Sequence, residues 1–221
     1  MDTHAAHWTT VPTLRGRHVM LEPLHLSHVD GLRTALGNGE LSELWYTNVP
    51  PPEQTGSYVT AALEMQAKGQ ALPFVVRNAD GGIVGCTRYY DADPIVPRVQ
   101  IGYTWYAPGV QRTGLNTEAK LLLLDHAFET MGCICVGFET SWFNQASRTA
   151  IARLGAKQDG VLRSHRRHAD GSVRDTVAFS IIESEWPAVK RNLIHKLKRH
   201  DPGQHNPGQH DSTQDDSKGE R

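Results

Sequence analysis

At 221 residues the chain is long enough for one domain with a sizeable core and short for two, and its 38% hydrophobic and 21% charged residues are an ordinary soluble balance. A formal net charge of −1 gives no global drive toward nucleic acid or anionic membranes, and apolar runs such as Leu121 to Leu124 fall far short of the roughly 20 residues that span a bilayer. Cys86, Cys133 and Cys135 fit a reduced, cytoplasmic setting rather than a disulfide framework, and no further ligands accompany Cys133 and Cys135 to make a metal site.

Residues 1–13 lack periodicity and read as a flexible N-terminal arm. Alternation through Val19 and Leu21 predicts a strand within Leu14 to Leu24, closed by Pro23. Ser27 and Asp30 form a capping pair for a short helix carrying Val29, Leu32 and Leu36, which Asn38-Gly39 ends. A second helical piece is expected around Leu41 to Tyr46, ahead of the rigid Pro50-Pro51-Pro52 connector. Tyr58, Ala61, Ala62 and Met65 recur at helical spacing, so Gln54 to Lys68 reads as a helix stopped by Gly69. Phe74 to Arg77 and Ile83 to Tyr90 flank Asp80-Gly81-Gly82, a hairpin pattern.

Val99 to Tyr106 is the next strand, followed by a loop and a leucine-rich helix beginning near Asn116 and ending before Gly132, with Glu118, Lys120, Asp125 and Glu129 largely off its apolar stripe. Cys133 to Thr140 alternates as a strand parallel to its predecessor across that helix. A short helix runs from Asn144 through Ile151 and Leu154 to Gly155, and Val161 to His168 and Val173 to Ile182 flank Asp170-Gly171 as a last hairpin. A helical extension is expected over 188–200. The polar segment Asp201 to Arg221, with Pro-Gly-Gln-His twice, reads as a disordered tail. This order implies an α/β chain: a mixed sheet with helices on both faces.

The junction Trp105 to Glu118 carries the chemistry. A strand running through a glycine loop into a helix aims unpaired backbone N–H groups, with the positive end of the helix dipole, at one spot. Phosphate is the usual guest, and Gly114 lets backbone approach it. Neither Gly-x-x-x-x-Gly-Lys-Ser/Thr nor Gly-x-Gly-x-x-Gly is present, which argues against P-loop and dinucleotide sites.

Gln111-Arg112-Thr113-Gly114-Leu115-Asn116 resembles the Gln/Arg-x-x-Gly-x-Gly/Ala pyrophosphate loop of the GNAT N-acetyltransferases, with Asn116 in place of the last small residue. Asn144-Gln145-Ala146-Ser147-Arg148 through Leu154-Gly155-Ala156 resembles the Asn-x-x-Ser motif of the ribosomal-protein-modifying, RimJ/RimL-like branch. Asp170-Gly171-Ser172-Val173-Arg174-Asp175-Thr176 is similar to an arm of the same branch that walls the acceptor cleft. The resemblance runs from Leu14 to Trp186 and implies a GNAT domain over 14–187 with a mostly antiparallel central sheet. It also implies acetyl-CoA as cosubstrate, without a metal.

By that resemblance the pyrophosphate rests on Gln111, Arg112, Thr113, Gly114, Leu115, Asn116 and Thr117. The pantetheine follows Thr104, Trp105 and Tyr106, with Asn144 and Ser147 lining its other side. A backbone N–H near Tyr106 would polarise the thioester carbonyl. Many GNAT enzymes place an acidic tyrosine seven residues after the Asn; Ile151 stands there, and Ser147 is the candidate acid instead. The implied acceptor is a primary amine, on a protein N-terminus or a small molecule.

Deprotonating a lysine at pH 7 costs roughly 4 to 5 kcal/mol, an α-amine only about 1. Glu139 is the carboxylate best placed by sequence to serve as base, with Glu43 and Glu64 as further options. Trp45, Tyr46, Tyr89, Tyr90 and Trp142 are candidates for an aromatic acceptor pocket. His165-Arg166-Arg167-His168 reads as a solvated strand face rather than an RNA contact. A homodimer stays open, and the rival reading is a non-catalytic acyl-CoA-binding module.

Overall fold

The computed structural model describes residues 7–168 and 170–199. Its β-prone runs form one eight-stranded sheet in the order β1-β2-β3-β4-β5-β6-β8-β7. The strands are β1 (Leu14–Arg15), β2 (Val19–Pro23), β3 (Ala71–Asn78), β4 (Ile83–Asp93), β5 (Arg98–Tyr106), β6 (Cys135–Ser141), β7 (Lys157–Arg167) and β8 (Val173–Ile182). Neighbours pair antiparallel except β5 and β6, which α3 (Leu115–Asp125) joins as a crossover.

Both sheet faces are covered, which is why β3 reads as an unbroken apolar run. Phe74 and Val76 face one core together with Leu123 and Leu124 of α3, Ile151 of α4 (Gln145–Leu154) and Leu193 of α5 (Trp186–Arg199). Val75 faces the other, among Leu32 and Leu36 of α1 (Val29–Leu36) and Val59 and Ala62 of α2 (Thr55–Ala67).

Several expectations change. The first strand is broken at Gly16-Arg17, and the Glu118 carboxylate of α3 accepts the backbone N–H groups of Arg17 (2.9 Å) and His18 (2.6 Å) there. A Cβ on Gly16 would stand 2.4 Å from that carboxylate carbon, so a side chain there would push Glu118 off the two amides. Glu118 and Lys120 are buried rather than on the polar flank of their helix. Within the expected N-terminal arm, Trp8 and Val11 are buried in the larger core.

The N-cap of α1 is His28, whose side chain makes no capping bond to that helix, and Asp30 pairs with Arg33 (2.5 Å) instead of capping. Leu41 to Tyr46 forms turns, not a helix. The leucine-rich helix ends at Asp125 and continues as a π-helical turn over His126–Thr130. The last helix begins at Trp186, before position 188. The expected tail, 201–221, lies outside the described residues.

Candidate active site

The parallel pairing of β5 and β6 is short: Arg98 with Cys135, Val99 with Val136, Gln100 with Gly137. The Gln100 side chain lies over Gly137, where a Cβ would sit 2.5 Å from its Oε1. Beyond that point the strands part. β5 also bulges, since its register with β4 shifts between Arg88↔Gly102 and Cys86↔Trp105, with Tyr103 at φ 52°. The extra residue changes the alternation, so Ile101 and Tyr106 both face the α3 side while Trp105 faces α1 and α2. The gap is a cavity of about 390 Å³ whose lining includes Tyr46, Tyr90, Thr104, Lys120, Ser147 and Arg174.

One wall is the start of α3. Its N-cap is Gly114 (φ −64°, ψ −16°), so the left-handed residue of the loop is Arg112 (φ 61°), not the glycine. Asn116 therefore lies in the first turn and lines the cavity instead of capping the helix. Thr113 Oγ1 accepts the Leu115 N–H (3.3 Å), and the helical ladder begins with Glu118 N–H to Gly114 O (2.9 Å). The N–H groups of Asn116 and Thr117 lie ahead of that ladder. Gln111 Nε2 donates to Tyr106 O (3.0 Å), tying the loop to the strand; Arg112 and Thr113 are exposed.

The opposite wall is the start of α4, where Asn144 Oδ1 accepts the Ser147 N–H (2.9 Å) as the cap. That bond uses the amide of Ser147 and leaves its hydroxyl out of the cap, on the cavity lining beside Ile151. Trp105 and Tyr106 are buried, and burial raises the Tyr106 phenol well above its ordinary range. Their pairing to β4 leaves the β5 edge that faces the gap without a partner strand.

Among the carboxylates, Glu139 does line the cavity but is held by Arg166 (2.8 Å) across β6 and β7. Glu43 and Glu64 are exposed and not part of the lining. The base-like group is one that sequence reasoning passed over. Lys120, 6% exposed, donates from Nζ to Thr104 Oγ1 (2.8 Å), which shares a hydrogen bond with Thr87 Oγ1 (2.7 Å). Burial pushes its pKa down to about 7, because the charged ammonium loses its water there. Its spacing from Asn116, i to i+4, was the only available signal, and it required knowing that Asn116 faces inward.

Residues 18–157 match the acetyltransferase (GNAT) domain family. The chain belongs to that family. N-acetyltransferase YoaA of Bacillus subtilis (strain 168), itself named as uncharacterized, is 20% identical over 174 residues, 78% of this chain and 97% of that protein. A GCN5-related N-acetyltransferase from Brucella melitensis superposes with a TM-score of 0.76 at 28% identity, covering 85% of this chain and 86% of its own. Mycobacterium smegmatis RimJ in complex with CoA-disulfide shares the fold at 22% identity and a TM-score of 0.70, covering 86% and 96%. The chain is thus an acetyl-CoA-dependent acetyltransferase with the mostly antiparallel GNAT sheet.

In this GNAT domain the aromatic candidates separate. Tyr46 and Tyr90 line the cavity, whereas Tyr89 points into the α3 core and donates to Leu123 O (2.5 Å). Trp45 packs against Phe143 (5.2 Å) and His168 (5.0 Å), and Trp142 lies under the Arg148 guanidinium (4.3 Å). The His165 to His168 run is no uniform solvated face, since His168 is buried and Arg166 reaches the cavity. Burial pushes the Cys86 thiol up to about 11 and the Cys133 thiol up to about 12, which disfavours a thiolate nucleophile. Cys133 precedes β6, and Cys135 is half-buried. Among the described residues no cluster of three His, Cys, Asp or Glu could hold a metal, and no helix is long and apolar enough to cross a membrane.

Proposed function

We propose that this GNAT protein transfers the acetyl group of acetyl-CoA to a primary amine by direct attack, as in the RimJ/RimL-like branch its Asn144 to Ser147 motif resembles. The observation that carries the reading is the parting of β5 from β6 beside the start of α3. A diphosphate needs several N–H donors, and Asn116 and Thr117 amides with the Arg112 side chain supply them at the helix's positive end. The free edge of β5 then offers backbone partners for the amide groups of pantetheine along Thr104 to Tyr106. An N–H on that edge polarises the thioester carbonyl.

The acceptor must lose a proton to attack. Lys120, whose pKa lies at about 7, takes it directly or through one water. Glu139 serves less well, because its carboxylate is committed to Arg166. The amine nitrogen bonds to the carbonyl carbon, the C–S bond breaks, and the Ser147 hydroxyl donates to the departing sulfur. The products are an N-acetyl amide and free CoA.

The test is thiol release from acetyl-CoA with a panel of peptide N-terminal amines and small amines, run beside a CoA titration. Thiol release dependent on one class of amine supports the reading. Tight CoA binding without transfer to any amine selects the rival, a module that keeps the cleft and has lost turnover.

A further inference from the structure

The acceptor side of the cavity holds two guanidiniums, Arg166 and Arg174, and one carboxylate, Glu139, which is paired with Arg166. β6 pairs with β8 as far as Ser141↔Thr176, and β8 continues past that end, so Arg174 stands one pleat beyond the last pair. Alternation puts Arg174 and Thr176 on the face opposite Val177, Phe179 and Ile181, which fill the α3 core. Their face is that of α1 and α2. Arg174 lines the cavity, is 9% exposed, and its Nε is buried with no hydrogen-bond partner.

The charges around it do not balance. The ionisable side chains lining the cavity, other than tyrosines, are Lys120, Glu139, Arg166 and Arg174. Arg166, directly across from Arg174 in the β7–β8 register, already holds Glu139. A third guanidinium, Arg88, packs on the Tyr103 ring (4.0 Å). Burial and the neighbouring Arg166 disfavour charge on Arg174 and outweigh the attraction of Glu139, yet a guanidinium stays protonated at neutral pH.

Two hydroxyls share the deficit. Ser141 Oγ and Thr176 Oγ1 come from a directly opposed cross-strand pair, are buried, and have no hydrogen-bond partner. Buried polar groups are rarely left unpaired; Ser141 and Arg174 line the cavity, with Thr176 behind them, so the two lining groups mark a place for a ligand. Donors gathered around an unbalanced cation suit an oxygen anion, and a carboxylate matches the guanidinium fork best.

We infer that the amine acceptor carries a carboxylate, which Arg174 binds with Ser141 while the amine points toward Thr104 and Lys120. This rests on the transferase reading above and names its substrate class: an amino acid or a peptide with an acidic side chain near its N-terminus.

Matched acceptors test it by thiol release: β-alanine against its amide, γ-aminobutyrate against its amide, and Asp-Ala-amide against Asn-Ala-amide. The readout is the ratio of kcat/KM for carboxylate over amide, taken within one enzyme preparation so that partial misfolding of a variant cancels. Wild type should favour the carboxylate by about 10- to 100-fold, the size of a charge-assisted hydrogen bond, in whichever pair has the right reach. Arg174→Met should bring that ratio to about 1 through KM, and Arg174→Lys should recover part of it. A wild-type ratio near 1 in every pair, or a ratio unmoved in Arg174→Met, overturns the inference and leaves the transferase standing. Absence of thiol release from any acceptor, with CoA still titrating, overturns the transferase reading and this one with it.

Discussion

Replacing Lys120 with Met tests the buried amine that the proposed chemistry uses. Lowering a lysine from 10.5 to about 7 corresponds to roughly 4 to 5 kcal/mol of cost for keeping it charged in the folded state. Because the folded pKa is the lower one, the unfolded chain binds more protons between pH 7 and 10.5. The cost is fully present below pH 7 and is relieved as pH rises to 10.5. Met has similar bulk and no charge to bury, but it forfeits the bond to Thr104, worth about 1 kcal/mol.

Lys120→Met should therefore be more stable than wild type by about 3 kcal/mol at pH 7, with the gap narrowing by up to about 1.4 kcal/mol per pH unit above it. Urea unfolding at pH 7, 8.5 and 10 measures this. A gap that stays constant with pH would refute the account, since it would mean that Lys120 finds water or a counter-charge. In the transfer assay, wild-type kcat/KM should fall on the acid side of about pH 7. The variant should lose that limb along with about 10²- to 10⁴-fold of rate.

Glu118→Ala removes the carboxylate that accepts the Arg17 and His18 amides. It should cost about 3 to 6 kcal/mol in urea unfolding, as expected for two charge-assisted bonds. Asn144→Ala removes the cap of α4 and should cost about 1 kcal/mol in the same assay, while raising KM for acetyl-CoA. Gly114→Leu crowds a buried N-cap, and steady-state kinetics should report a raised KM for acetyl-CoA; unchanged kinetics would remove the loop from the site. Ser147→Ala should lower kcat more than it alters CoA affinity by titration, and a wild-type kcat would end the role of its hydroxyl at the sulfur.

Local pattern determined most of the architecture. Helical spacing at Tyr58 to Met65, the turn residues between β3 and β4, and the strand-loop-helix wording around Gly114 each act over a few residues, so the chain states them directly. The start of α4 at Asn144 was legible for the same reason. Tertiary structure decided what depends on distant partners. The break at Gly16 exists because a carboxylate about a hundred residues away accepts its amides, and Trp8 is core because the sheet offers it a place.

The same division holds within the site. A one-residue bulge at Tyr103 sets which face Thr104 occupies, and only then does Lys120 become a cavity residue rather than a surface charge on a helix. Glu139 is the carboxylate best placed by sequence, yet Arg166 on another strand takes up its side chain. Arg174 reads as one more charged residue on a hairpin until β6 ends two residues short of it. Charge, burial and partner are properties of the folded neighbourhood, which side-chain identity alone does not carry.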